Sequence, residues 1–103
     1  MIIYNITFHL ENEVHDKALL YLKNDFISKA VGCGFMLEPR LAYIHRQHEE
    51  TGSSYSLQFN AKNIETLNLW NSTTGKTLFD EINSLFGNKV IGFSTILEEI
   101  ELG

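Results

Sequence analysis

The chain has one cysteine, one proline and one tryptophan among 103 residues. One cysteine cannot close an internal disulfide, so no disulfide framework organises the fold, and a reducing, cytoplasmic compartment is expected. A single proline with 44% hydrophobic residues is the composition of a folded globule, far from that of a disordered chain. No apolar run approaches the roughly 18 residues that a bilayer-spanning helix requires, so no membrane partner is expected. Ile2-Ile3-Tyr4 also lacks the basic flank and small-residue cleavage pattern of a secretory signal. Cations are scarce: 8 Lys and Arg stand against 13 Asp and Glu, a net charge of −5. An acidic surface repels phosphate backbones and forgoes the counterion release that dominates nucleic-acid affinity, which argues against nucleic acid as a partner.

What is present suffices for one domain over residues 1–103, with no internal repeat or linker. A chain of this size buries roughly 60 to 70% of its unfolded surface, enough for one modest core. Ile2, Tyr4, Ile6, Phe8 and Leu10 alternate with Ile3, Asn5, Thr7 and His9, the period of a strand with one oily face. Val14, Ala18, Leu22, Phe26 and Ala30 then recur every four residues, an amphipathic helix that Gly32-Cys33-Gly34 stops. A second strand is expected after Pro39, from about Arg40 to His48, and Glu49-Glu50-Thr51-Gly52-Ser53 reads as a hairpin loop. Ser54 to Ala61 forms the third strand. Asn63 suits the N-cap of a second helix whose apolar spacing, through Trp70 and Leu78, runs to Gly87, with Gly75 a point of kinking or division. A fourth strand is expected from about Lys89 to Ile100.

The order β-α-β-β-α-β is the ferredoxin-like arrangement: an α+β fold, a four-stranded antiparallel sheet with two helices on one face. Its other face is left uncovered. With the apolar residues turned toward the helices, Tyr55, Leu57, Phe59 and Ala61 join the core, and Asn5, Thr7 and His9 share the uncovered face with Ser56, Gln58 and Asn60. Such alternation is also what any antiparallel sheet with one wet face displays.

Several chemistries fail on the residues. Base stacking needs exposed aromatics on the central strands, where Asn5, Thr7, Ser56 and Gln58 stand. A phosphate cradle after the first strand needs arginine and glycine, and Leu10-Glu11-Asn12-Glu13 repels phosphate. No glycine-rich nucleotide loop occurs, and no cofactor is implied. His45 and His48, three apart on a strand, point to opposite faces and cannot share a metal ion without a bulge, so no metal site is expected. His15 falls at the first turn of the first helix beside Asp16. His9 is the best acid or base, although a strand-end histidine more commonly bonds water or backbone. Cys33, flanked by glycines at a helix C-terminus, has none of the surroundings that activate a thiolate. Arg40 and Arg46 share a face of the second strand, placed to pair with Glu98, Glu99 and Glu101 across a dimer or, as the lesser reading, to bind a small anion.

The opening Ile2-Ile3-Tyr4-Asn5-Ile6-Thr7-Phe8, Gly34-Phe35, the strand Tyr55-Ser56-Leu57-Gln58-Phe59 and the ending Phe86-Gly87-Asn88-Lys89-Val90-Ile91-Gly92-Phe93-Ser94-Thr95-Ile96-Leu97-Glu98 resemble a bacterial family of uncharacterised function. That family is placed in the dimeric α+β barrel superfamily, with the antibiotic biosynthesis monooxygenase-like proteins. Phe26-Ile27-Ser28 stands where relatives tend to carry His-Ile-Pro, so a role for that histidine does not transfer. The resemblance implies a homodimer in which two open sheet faces meet, turning Asn5, Thr7, His9, Ser56, Gln58 and Asn60 inward as ligand-binding candidates. Three readings follow: a small-ligand-binding or interaction protein, a cofactor-independent monooxygenase-like enzyme using Asn5, His9 and Gln58, or a structural dimer whose polar face satisfies itself.

Overall fold

The computed structural model describes residues 1–46 and 50–103. Alternation in the first segment produces strand β1, Ile2–Glu11, in which every even-numbered residue from Ile2 to Leu10 is buried. β1 lies between β3 (Gly52–Ala61) and β4 (Val90–Glu98), and β2 (Leu37–Ile44) forms the far edge. All three pairings are antiparallel, in the order β2-β3-β1-β4. This is the ferredoxin-like α+β arrangement expected from the element order.

Two helical rods cover one face. The first is α1 (His15–Tyr21) and α2 (Ile27–Gly32), joined by a π-type turn at Leu22–Phe26; the second is α3 (Ile64–Trp70) and α4 (Lys76–Phe86), joined by another at Asn71–Gly75. Backbone angles stay helical through both turns, so Gly75 widens the second rod without dividing it. The Asn63 side chain accepts from the Thr66 N–H at 2.8 Å, the N-cap that its residue type favours. Phe8, Phe26 and Phe79 pack edge to face between sheet and helices, as do Tyr4 and Trp70. Tyr55, expected inside, sits half-buried at the rim, edge-on to Tyr43. The buried Tyr4 hydroxyl keeps a partner in Ser94 at 2.8 Å across the sheet.

Three strand limits differ from the sequence reading. β2 begins at Leu37, ahead of Pro39, because it is an edge strand, where a missing N–H costs no ladder bond. A bulge between Leu37 and Arg40 absorbs the irregularity, with Glu38 at φ 51° and its carboxylate accepting from Asn60 at 2.6 Å. β2 ends at Ile44; the expected extension reaches His48, which lies outside the described residues together with Gln47 and Glu49. β3 starts at Gly52, read from sequence as loop: a Cβ there would lie 2.0 Å from the Leu10 carbonyl oxygen, so only glycine lets the two backbones pair this closely. β4 is shorter than expected, starting at Val90 and ending at Glu98.

One ionic network ties the rods together. Tyr21 on α1 donates to Glu81 on α4 at 2.7 Å, and Lys29 on α2 donates to both oxygens of the same carboxylate at 2.9 and 3.2 Å. Hydrogen bonding from Lys29, then from Tyr21, holds the Glu81 carboxyl below its usual 4.5. A depressed folded-state pKa contributes stability above the unfolded value that is lost as pH falls through the folded one. Thermal melts of wild type and Glu81→Gln at stepwise lower pH should therefore converge below about pH 4.5. Equal separation of the two curves at every pH would show that the carboxylate charge contributes nothing.

Candidate functional site

Register aligns the uncovered face into four rows. Ile44, Ser54, His9 and Ile91 form one, followed by Ala42, Ser56, Thr7 and Phe93, then Arg40, Gln58, Asn5 and Thr95, and finally Leu37, Asn60, Ile3 and Leu97. The centre of the face is polar and the β4 border apolar. Ile91, Phe93 and Leu97 are all exposed there.

The polar residues engage one another in four groups. Ser56 donates to the Asn5 side-chain oxygen at 2.5 Å, and the Asn5 amide donates to Thr7 at 3.2 Å, which fixes the amide's orientation. Arg40 donates to Gln58 at 3.4 Å, and Asn60 donates to Glu38. His9 has Ser54 at 3.2 Å from Nδ1 and Thr51 at 3.1 Å from Nε2. Whichever tautomer is present, one ring nitrogen donates and the other accepts.

A groove of about 280 Å³ opens in the first two rows, lined by Thr7, His9, Arg46, Ser54, Ile91 and Phe93. Only two of the six sequence candidates, Thr7 and His9, line it. Asn5 and Ser56 stand next to it and orient Thr7, while Gln58 and Asn60 lie toward the other end of the sheet. Ser54, Ile91 and Phe93 were not legible as site residues. Ser54 is only 2% exposed although it belongs to the uncovered face, so the groove has depth beneath His9.

On the helix-covered side, Asp16, His15 and Tyr55 form a chain of hydrogen bonds: His15 has Asp16 at 2.8 Å from Nδ1 and the Tyr55 hydroxyl at 2.7 Å from Nε2. Burial, then the neighbouring Tyr43 and Asp16, raise the Tyr55 pKa, so its phenol stays protonated within this chain. This chain fastens the start of α1 to β3. Among the described residues no three His, Cys, Asp or Glu side chains converge as metal ligands, and no helix is long and apolar enough to cross a membrane.

A family of domains of unknown function, DUF4286, matches residues 1–100. The chain belongs to this family. No curated protein matches the sequence. Among solved structures, HapK from Hahella chejuensis superposes on 100% of the DUF4286 chain and 96% of its own, with a TM-score of 0.71 and 8% identity. A protein described as a putative antibiotic biosynthesis monooxygenase from Deinococcus radiodurans has a TM-score of 0.69 and 16% identity, over 98% of this chain and 94% of that one. An ethyl tert-butyl ether D family protein from Bacillus halodurans C-125 has a TM-score of 0.70 and 16% identity, over 97% and 100%. At these identities the likeness is one of fold: the DUF4286 chain has the fold of the antibiotic biosynthesis monooxygenase-like proteins.

Proposed function

We propose that this DUF4286 protein is a homodimer that encloses a small molecule between two open sheet faces, in the groove beneath Phe93 and beside His9. The observation that carries the reading is the groove's make-up: Thr7, His9, Ser54 and Arg46 form a polar wall against Ile91 and Phe93. Small-molecule sites combine an apolar body with a few converging polar groups in this way. Apolar residues clustered on one otherwise polar face also favour a protein partner over that face, and a second copy would convert the groove into an enclosed site. Asn5 and Ser56 hold Thr7 in place, and Gln58 and Asn60 line the far end of the enclosed space. A cytoplasmic location accords with the lone, exposed Cys33.

A monooxygenase-like activity, suggested by the name of the Deinococcus neighbour, draws less support. Asn5, His9 and Gln58 would have to act together. Asn5 is committed to Ser56 and Thr7, Gln58 accepts from Arg40, and only His9 reaches the groove.

The reading is tested by light scattering and a fragment screen followed by two-dimensional NMR. Wild type is expected at twice 11.8 kDa, with fragment hits that shift the Thr7, His9, Ser54 and Phe93 amides. A mass of 11.8 kDa at micromolar concentration, or hits confined to other surfaces, would overturn it.

A further inference from the structure

We infer that the groove selects a flat, mostly apolar monocarboxylate, with Arg46 taking the carboxylate and Phe93 and Ile91 taking the body. The inference rests on the ligand-binding reading and adds a chemical class to it. Arg46 follows Ile44 by two residues on the edge of the uncovered face and lines the groove opposite the β4 border. It forms no ion pair with any described residue, whereas Lys29, Lys76 and Lys89 each pair with a carboxylate. In a chain of net charge −5 a cation at the mouth of a groove is a selective feature.

The stoichiometry of charge sets the class. One guanidinium, with the Thr7 hydroxyl across the groove, balances a single negative charge. A phosphate monoester brings nearly two charges at neutral pH, and the described residues lining the groove include one Arg and no Lys. The planar fork of an arginine matches a carboxylate through two parallel N–H donors, a geometry that an ammonium group does not offer. On the other side Phe93, 66% exposed, presents a ring to solvent, and Ile91 stands beside it in the next row. An aromatic face and a branched aliphatic chain suit a flat apolar body. The volume of about 280 Å³ lies near the small end of ligand sites, which favours a one- or two-ring molecule.

The experiment compares cinnamate with cinnamamide, which share shape and differ in charge, by two-dimensional NMR titration of the full-length protein. Cinnamate is expected to bind at least about tenfold more tightly than the amide, a difference of about 1.4 kcal/mol. It should shift the amides of Thr7, His9, Arg46, Ile91 and Phe93, and Arg46→Gln should bring the two affinities within about twofold of each other. Arg46→Lys, which keeps the charge and loses the fork, should recover only part of the preference. Arg46 is exposed and outside the strands, and the spectrum of each variant reports whether the fold is kept. Equal binding of both compounds in the groove would overturn the carboxylate and leave the ligand-binding reading standing. No groove shift from either compound at millimolar concentration would overturn the carboxylate, and only the separate fragment screen would then decide the broader reading. A cinnamate preference unchanged in Arg46→Gln would overturn the role of Arg46.

Discussion

Trp70→Ala should remove a large part of the protein's stability. Trp70 has no exposed surface; it packs on Tyr4 and Phe59, and its indole N–H donates to the Ala30 carbonyl at 3.0 Å. It thereby joins the second helical rod, the sheet and the end of the first rod at one point. Truncating a buried Trp to Ala costs about 3–5 kcal/mol, and the Ala30 carbonyl loses its side-chain donor as well. Domains of this size are stable by about 5–15 kcal/mol, and each kcal/mol moves the melting temperature by roughly 4–8 °C. A fall of at least about 12 °C is therefore expected by circular dichroism. Trp70→Phe keeps much of the volume and loses the donor, so it should fall between the two. Gly75 supports the same point from below: a Cβ there would sit 2.6 Å from Cζ3 of the indole. Gly75→Val should destabilise by about 1–3 kcal/mol through overpacking, despite the better intrinsic helix propensity of valine. A Trp70→Ala protein melting within about 5 °C of wild type would mean that the three elements are held together elsewhere.

The same buttress shows why sequence reading stops where it does. Trp70 was legible as core from helical spacing, whereas Gly75 read as a point of kinking or division, because the reason for it is a contact with a side chain one turn earlier in a widened helix. Ile2, Tyr4, Ile6, Phe8 and Leu10 announced a strand because alternation is a local signal. Leu37 did not, because Pro39 disqualifies a strand interior, and nothing local says that this strand lies on an edge with a bulge. The candidate site divides along the same line. Asn5, Thr7, His9, Ser56, Gln58 and Asn60 could be placed on one face by period alone. Which of them meet a groove depends on cross-strand register, and register set Ile91 and Phe93 beside His9 and Thr7. Within β4, Ile96 and Leu97 are adjacent and both apolar, so its pattern does not declare which face is open. Ser54 escaped because a serine at the start of a strand carries no hydrophobic contrast, yet it is the buried polar side chain at the floor of the groove.

Phe93→Asp should convert the proposed dimer to monomer while leaving the protomer folded. In a single chain Phe93 is 66% exposed, so an aspartate there creates no cavity and breaks no described hydrogen bond. The protomer spectrum should be nearly unchanged, since exposed substitutions outside special sites stay within about 0.5 kcal/mol. In a dimer joined through the open faces the outcome is opposite. The ring would be buried at the centre of the contact, and aspartate would put a charge into an apolar border formed with Ile91 and Leu97. Central aromatic residues in interfaces are commonly worth 2 kcal/mol or more, about a 30-fold rise in dissociation constant, and burial of an unpaired charge adds to this. Sedimentation equilibrium across a concentration series should show twice 11.8 kDa for wild type and a shift toward 11.8 kDa for the variant. Its apparent melting temperature should also fall at high protein concentration only, because a dimer is stabilised by mass action and a monomer is not. Leu20→Asp is the control: Leu20 is 58% exposed on α1, away from the open sheet face, and the variant should remain dimeric. If Phe93→Asp keeps the wild-type mass while Leu20→Asp loses it, the protomers meet through their helices. The groove beside His9 would then face solvent, and its ligand would be held by one chain alone.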